Sequence, residues 1–286
     1  MELGTPTKIK RNLLAWSHVQ RTRMSRYFRE GLLGEPTPRP VIIMTTSRSG
    51  STLLSELLVY ALGAGGIKEN LRANHLDRRT GEDATKVIVS RVIAQIVNEI
   101  DQKSIMGTKV IWDNFHAFEF LSTPHSIKEV FAPIFELKPV VLRLRREDRV
   151  AQAISRKIAV LTNRYHLSSS NAHLFSKIFS GSRRTDLGSL EYNREAILKH
   201  MKVLNKAEKN LDHFFSEFEQ DYILISYEEL VQQPLVHLSR ITERVFPSIS
   251  RSLIEKRAKF GIINNELIPT RSNLNDEWKK LFLFED

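Results

Sequence analysis

Residues 41–54 read Val-Ile-Ile-Met-Thr-Thr-Ser-Arg-Ser-Gly-Ser-Thr-Leu-Leu, and this stretch predicts the architecture of the chain. Its first four residues form a short apolar run, which is typical of a strand buried on both faces of a sheet. Residues 51–62 continue in a helical pattern. The polar residues in between therefore form a loop from the end of a strand to the N-terminus of a helix.

This loop has the chemistry of an anion site. A helix N-terminus presents N–H groups and a positive dipole end, and open α/β sheets bind ligands at the carboxyl ends of their strands. Gly50 allows close approach of the backbone to a phosphate, and Arg48 adds a planar guanidinium that matches phosphate or sulfate oxygens. The hydroxyls of Ser49, Ser51 and Thr52 add further donors. The loop resembles a P-loop, but the Walker pattern GxxxxGK[ST] is absent because no lysine precedes the Ser/Thr.

Strand and helix patterns alternate through the rest of the chain. Further strands are predicted at 107–112, 139–145 and 222–226, and helices at 83–100, 148–165, 190–218 and 228–246, the last interrupted near Pro234. This rhythm predicts an α/β fold of three layers, with helices on both faces of a mostly parallel sheet. Residues 168–188 are predicted to form a loop, and residues 264–286 show no clear period.

The first forty residues are predicted to be an appendage to a main domain at 41–286. Apolar residues between Ile9 and Phe28 recur at mostly three- and four-residue spacing with arginines between them, which predicts a basic amphipathic helix. The Pro-rich stretch 34–40 follows as a linker. The helix could pack on the body of the protein, contact a membrane surface through residues 8–29, direct targeting to an organelle, or exchange between the subunits of a homodimer.

The composition excludes several classes of protein. The 286 residues are 41% hydrophobic and 27% charged, which excludes a disordered tail or a collagen-like fibre. The lack of cysteine excludes a disulfide scaffold, a cysteine nucleophile and thiolate metal sites, and no histidines have HxxxH or HExxH spacing, so we expect no metal. There is neither an apolar run of about 20 residues nor a secretory signal, which predicts a cytoplasmic protein, at the membrane surface if the N-terminal helix binds lipid.

The net charge of +10 favours an anionic partner without identifying it. A second basic site follows the predicted strand 139–145, where Arg146 precedes Ser155 by nine residues and both could reach one anion. Two anion sites on one sheet suit a ligand with two separated phosphates. Taken alone, the arginines equally fit a solvated charged turn.

The motifs also occur together in one order. The loop 47–54, the strand 107–112, the Arg146–Ser155 pair and the strand end 226–230 resemble those of bacterial carbohydrate sulfotransferases of the trehalose and Nod-factor sulfotransferase type. The resemblance runs from about residue 41 to the C-terminus, and its most specific part is the loop. It implies a P-loop-like fold and an enzyme that transfers a sulfuryl group from 3′-phosphoadenosine 5′-phosphosulfate (PAPS) to a hydroxyl of a carbohydrate or glycolipid. The product nucleotide would be adenosine 3′,5′-bisphosphate, and no metal is expected.

The resemblance further implies roles for single residues on the donor. The 5′-phosphosulfate would be held by Arg48, Ser49, Gly50, Ser51 and Thr52. Arg146 and Ser155 match positions that grip the 3′-phosphate, while Ala151 stands where some relatives carry another serine.

The resemblance also implies residues on the acceptor side. Glu69 matches the catalytic base of the trehalose enzyme. In that role its carboxylate would take the proton of a sugar hydroxyl within hydrogen-bond reach. The alternative is a surface glutamate. Gly66 stands where the trehalose enzyme has an acidic sugar contact, which argues against trehalose as the acceptor. Lys109 and Trp112 are cleft candidates, but spacing by three puts them on opposite faces of an ideal strand, and Trp112 could equally be a core aromatic.

Some expectations outside the main motifs complete the hypothesis. Tyr227 is expected to be structural, and residues 271–272 and 276–278 resemble a C-terminal segment that closes over the donor.

Three alternative functions stay open. The first is an ATP- and Mg²⁺-dependent P-loop kinase, the second is an inactive scaffold, and the third is a nucleic-acid-binding protein that uses the basic N-terminus and residues 143–149. No nucleic-acid partner is expected under the main hypothesis, because no recognisable RNA- or DNA-binding motif is present.

Overall fold

The structure is a computed structural model that describes residues 38–62, 66–69, 82–102, 106–114, 124–162, 190–218, 221–263 and 273–284. The predicted amphipathic helix within residues 8–29 and the predicted loop 168–188 lie outside these ranges. Among the helices described, none is long and apolar enough to cross a membrane.

A parallel sheet forms the centre of the protein. Its strands are β1 (Val41–Thr45), β2 (Ile67–Lys68), β3 (Gly107–Ile111), β4 (Val140–Arg145) and β5 (Ile223–Ser226), and their spatial order is β2-β3-β1-β4-β5. All neighbouring strands are parallel, and β2 contributes two residues at one edge. β1 is buried along its whole length between β3 and β4. Its carboxyl end is the point where the strand order reverses, which is where open α/β sheets bind ligands.

Helices cover both faces of this sheet. They are α1 (Ser51–Leu62), α2 (Glu82–Asp101), α3 (Pro124–Glu136), α4 (Arg149–Thr162), α5 (Arg194–Phe218), α6 (Tyr227–Gln232), α7 (Pro234–Val245), α8 (Arg251–Ile263) and α9 (Asn273–Phe284), with a 3₁₀ turn at Trp112–Asn114. One hydrophobic cluster joins the sheet to α2, α3 and α5, and another joins it to α1, α7 and α8. The three-layer α/β architecture predicted from the sequence is therefore confirmed.

Some element boundaries differ from the prediction. The strand expected to reach residue 112 ends at Ile111, because Trp112 begins the 3₁₀ turn. α5 begins at Arg194 because the side chain of Asn193 accepts a hydrogen bond from the Ala196 N–H, which caps the helix. The patterns also missed α3, α8 and α9.

Candidate active site

The anion loop, residues 46–50, connects β1 to α1 at the carboxyl end of the sheet. The helix begins with a hydrogen bond from the Leu54 N–H to the Gly50 carbonyl. Arg48 has φ 61° and Gly50 has φ 91°, so two backbone positions lie in the left-handed region. A side chain at such a position costs about 1–3 kcal/mol, and the conformation persists only where the surroundings hold it.

A side chain at position 50 is excluded by its neighbours as well as by φ. A Cβ added to Gly50 would lie 2.3 Å from Cδ2 of Tyr227. The ring of Tyr227 therefore packs directly on the backbone of the anion loop, which agrees with the structural role expected for this residue.

We expect Gly50→Ala to lower the free energy of unfolding by about 1–3 kcal/mol and to weaken anion binding by the loop. Gly66→Ala is the matched control, because a Cβ at Gly66 meets nothing within 4 Å, and we expect a change within about 0.5 kcal/mol. Chemical denaturation of both variants measures the effect. Equal stability of the two would contradict the constraint at position 50.

Three buried side chains hold the start of the loop. Asp113 accepts hydrogen bonds from the Ser47 N–H and the Ser47 hydroxyl, both at 2.6 Å. Gln152 donates to the Ser47 carbonyl at 2.7 Å, and Glu208 accepts from the Thr46 hydroxyl at 2.7 Å. Sequence reasoning assigned no role to these residues. Asp113 follows the end of β3 at the ligand edge of the sheet, which was a usable signal, whereas Glu208 is one of many charged residues on a polar helix.

Glu208 also binds the arginines that follow from β4. Its carboxylate lies 2.5 Å from Nη2 of Arg143 and 3.1 Å from Nη1 of Arg149, and its side chain is 5% exposed. Burial acts to raise the pKa of Glu208, but the hydrogen bond from Arg149, the charge of Arg143 and the hydrogen bond from Thr46 outweigh it and hold this pKa below its ordinary value. Glu208 thus ties the loop, β4 and the start of α4 together.

Replacing Glu208 with Ala should lower the free energy of unfolding by about 3–5 kcal/mol, because it leaves buried Arg143 with an incomplete partner set. Asp212→Ala is the control, since Asp212 bonds the same guanidinium at 3.0 Å from a side chain that is 57% exposed; a loss below about 1 kcal/mol is expected there. Urea unfolding at neutral pH measures both variants, and similar small losses would contradict the central role of Glu208.

The lowered pKa of Glu208 adds a pH signature to this comparison. A carboxyl with a depressed pKa stabilises the fold above its unfolded pKa, about 4.3, and that stability is lost as the pH falls through the folded value. The Glu208→Ala variant should therefore lose less unfolding free energy than the wild type between about pH 5 and pH 3.

The two predicted anion sites meet at Arg48. Nη1 of Arg146 donates to the Arg48 carbonyl at 3.2 Å, and Nε of Arg48 donates to the Ser155 hydroxyl at 3.0 Å. The guanidinium of Arg146 lies 4.9 Å from the ring centroid of Tyr227. Its buried Nε has no hydrogen-bond partner among the described residues, and its nearest charge is Glu228 at 4.0 Å. A buried, unused donor beside a basic loop fits a bound anion.

The strand end at 226–230 supports the turn that carries Arg146. The carboxylate of Glu228 accepts hydrogen bonds from the backbone N–H groups of Glu147 and Asp148, at 3.1 and 3.3 Å. Asp148 in turn caps α4 through the Ala151 N–H and pairs with Lys279 of α9 at 2.5 Å. These contacts fix the turn from β4 to α4.

Of the C-terminal residues expected to close over the donor, the structure describes 276–278 in α9. Trp278 of α9 is 2% exposed and packs in a hydrophobic cluster with α4 and α5. Residues 271 and 272 lie outside the described ranges.

The two cleft candidates, Lys109 of β3 and Trp112 of the 3₁₀ turn that follows it, lie in different surroundings. Nζ of Lys109 lies 3.5 Å from the Thr52 hydroxyl and 3.7 Å from a carboxylate oxygen of Glu69, with both charged side chains about one-tenth exposed. Trp112 is 3% exposed and meets Phe214 edge to face at 5.1 Å in the core. Lys109 therefore lies between the first turn of α1 and Glu69, whereas Trp112 packs in the core.

The arrangement can bind an anion and act on a proton beside it. Arg48 belongs to the anion loop, Arg146 bonds its backbone, and Lys109 lies beside Thr52 in the first turn of α1. The carboxylate of Glu69 is held next to Lys109. Within the described ranges no group of three or more His, Asp or Glu side chains is placed to hold a metal ion.

Comparison with protein families shows what the chain is similar to. A family model described as Stf0 sulphotransferase matches residues 40–259, a span that includes the anion loop, Glu69, Lys109, Arg146 and Ser155. No curated protein matches the chain.

Proposed function

The chain belongs to the Stf0 sulphotransferase family, and from this premise we propose that it transfers a sulfuryl group from PAPS to a hydroxyl of a carbohydrate or glycolipid. The observation that carries the proposal is the contact of Arg146 and Ser155 with the anion loop through Arg48. A donor with a phosphate at each end of its ribose needs two anion sites next to each other.

The donor fits the residues of the loop in the following way. Residues 48–52 hold the 5′-phosphosulfate with hydroxyls and with the N–H groups of the first turn of α1, which have no acceptor within the helix. Arg146 and Ser155 hold the 3′-phosphate, and the unused Nε of Arg146 supports this assignment. When bound, PAPS supplies the activated sulfuryl group.

Glu69 acts as the general base. Its carboxylate takes the proton of the acceptor hydroxyl as the acceptor oxygen forms its bond to sulfur. The bond from sulfur to the bridging oxygen breaks, and the leaving phosphate keeps the electron pair. Lys109 lies near both Thr52 and Glu69, and Thr52 is one of the residues proposed to hold the phosphosulfate. A cation therefore lies between the group that gains the proton and the group that gains negative charge.

Charge stabilisation is the second contribution of the chain. In this proposal, Arg48, Lys109 and the N–H groups of the loop stabilise the negative charge that develops on the leaving phosphate. Preorganised donors of this kind usually lower the barrier of such transfers more than any other single effect. Holding the acceptor hydroxyl next to sulfur supplies much of the rest.

The alternative functions lose support from the geometry of the arginines. Arg143 is 2% exposed and bound to Glu208, and Arg149 shares that carboxylate, so these members of the 143–149 cluster are engaged inside the protein rather than offered to a polynucleotide. Membership of a sulfotransferase family also favours a sulfuryl donor over ATP.

A thermal-shift titration tests the donor. A ligand that binds only the folded state stabilises it by RT ln(1 + [L]/Kd), about 2.7 kcal/mol at 100 times Kd. We expect a clear rise in melting temperature with adenosine 3′,5′-bisphosphate and a much smaller rise with ATP and Mg²⁺. A larger rise with ATP and Mg²⁺ would favour a kinase, and salt-sensitive stabilisation by polynucleotide would favour nucleic-acid binding.

A further inference from the structure

Asp113 holds Ser47, the second residue of the anion loop, with both of its oxygens. Oδ1 accepts the Ser47 N–H and Oδ2 accepts the Ser47 hydroxyl, and the side chain is 0% exposed. Ser47 immediately precedes Arg48, whose backbone lies in the left-handed region. A clamp at this point is the kind of contact that holds such a conformation in place.

The clamp places a negative charge behind a loop that must accept an anion. A carboxylate and a bound phosphate repel each other, and the repulsion is strong where water is excluded. Arg156 of α4 lies 3.2 Å from Oδ2 of Asp113 through its Nε. The guanidinium thereby neutralises the carboxylate at the oxygen that also accepts the Ser47 hydroxyl.

The second partner of Arg156 is His200, which is uncharged and leaves Asp113 as the charged partner of Arg156. Its Nη1 lies 2.8 Å from Nδ1 of His200. Burial first, and then the charge of Arg156, lower the pKa of His200 to about 4, so at neutral pH the imidazole is uncharged and can accept this hydrogen bond. His200 orients the guanidinium without competing for its charge.

We propose that Asp113 is a positioning residue that fixes the start of the anion loop, and that Arg156 neutralises Asp113 so that the loop can bind an anion. This inference extends the proposed donor site, but it concerns any phosphate or sulfate group bound by the loop. Neither residue needs to touch the donor for this role.

Four variants distinguish the effect of the Asp113–Ser47 hydrogen bonds on anion affinity from the effect of the Asp113 charge. Asp113→Asn keeps an oxygen acceptor for the Ser47 N–H and removes the charge, so anion affinity should equal or exceed that of the wild type. Asp113→Ala removes the clamp altogether and should weaken affinity about tenfold. Arg156→Gln leaves the carboxylate without its counter-charge and should also weaken affinity about tenfold, whereas Arg156→Lys keeps the charge and should restore most of it.

The double variant Asp113→Asn/Arg156→Gln is the decisive test, because it removes both charges and should bind within about threefold of the wild type. Calorimetric titration with inorganic pyrophosphate and with adenosine 3′,5′-bisphosphate measures affinity, and melting temperatures verify folding. Arg145→Gln is the matched control for loss of one positive charge, since Arg145 is about half exposed, and little change is expected.

Two results would overturn the proposal. If the double variant binds as weakly as Arg156→Gln, then Arg156 does not act through Asp113. If Asp113→Asn is as weak as Asp113→Ala, the clamp needs the carboxylate itself and its charge does not oppose the anion. Should Arg156→Gln fail to fold, the comparison of the two Asp113 variants with Arg156→Lys still decides. A wild type that binds pyrophosphate but not the nucleotide would refute the proposed donor, while the pyrophosphate data would still test the clamp.

Discussion

Replacement of Glu69 with Gln is expected to lower kcat by roughly 100-fold or more, in line with the contribution of a general base, while the affinity for adenosine 3′,5′-bisphosphate stays within about threefold. Gln preserves the shape of the side chain but cannot take a proton from the acceptor hydroxyl. Donor binding should survive because Glu69 takes no part in the hydrogen bonds from Arg146 to the Arg48 carbonyl and from Arg48 to Ser155.

The measurement combines initial rates with a binding titration. Release of adenosine 3′,5′-bisphosphate from PAPS is followed with a panel of neutral carbohydrates and glycolipids, and the acceptor that gives turnover with the wild type is used for the variant. Glu217→Gln is the control, because Glu217 is half exposed on α5 and pairs with His213. Full activity of the Glu69 variant would remove Glu69 from the role of base, and loss of nucleotide binding would point to a structural role beside Lys109.

The sequence was sufficient for most of the architecture because the central strand β1 begins with a run of four apolar residues, and because β3 and β4 each contain consecutive apolar residues beside polar ones. β1, β3 and β4 are buried along almost their whole length. Each of them can therefore be recognised from its own residues, without knowledge of the strands that pair with it. α9 escaped prediction because its burial rests on a few residues, among them Trp278 and Phe282, which pack on α4 and α5. So few buried positions in a 12-residue helix do not make a visible period.

The candidate site was predictable where its residues are close in sequence and unpredictable where they are distant. The loop carries its chemistry in consecutive residues, and Arg146 follows directly from a strand. Glu208 and Asp113 reach the same loop from 162 and 66 residues away. Contacts of that separation leave no periodic trace in a single sequence.

Lys109 and Trp112 show how spacing separates two candidates. An ideal strand puts residues spaced by three on opposite faces, so one of the two had to lie near the strand end to share a site with the other. Although β3 does end at Ile111, the indole of Trp112 packs against Phe214 in the core, while Nζ of Lys109 lies near Thr52 and Glu69. The position where β3 ends was not evident from its composition.

Replacement of Arg146 with Ala should weaken the binding of adenosine 3′,5′-bisphosphate by roughly 10- to 100-fold, because hydrogen bonds to charged groups contribute about 1.5–3 kcal/mol and about 1.4 kcal/mol corresponds to a factor of ten. Adenosine 5′-phosphate lacks the group that Arg146 is proposed to hold, so its affinity should change less than about threefold. The ratio of the two affinities is therefore the quantity to measure, by calorimetry on the same preparation.

The ratio matters because Arg146 also contacts the loop itself, and loss of that contact could mimic loss of the phosphate. Its guanidinium donates to the Arg48 carbonyl and stacks on Tyr227, so removal of the side chain could loosen the anion loop and weaken both nucleotides alike. Equal losses would reject the 3′-phosphate assignment in favour of loop support. Arg145→Ala is the matched control, since its side chain is about half exposed and its nearest carboxylate is Glu208 at 4.0 Å. If Arg146 reads the 3′-phosphate, only its own removal erases the preference for the bisphosphate, and the Arg145 variant keeps it.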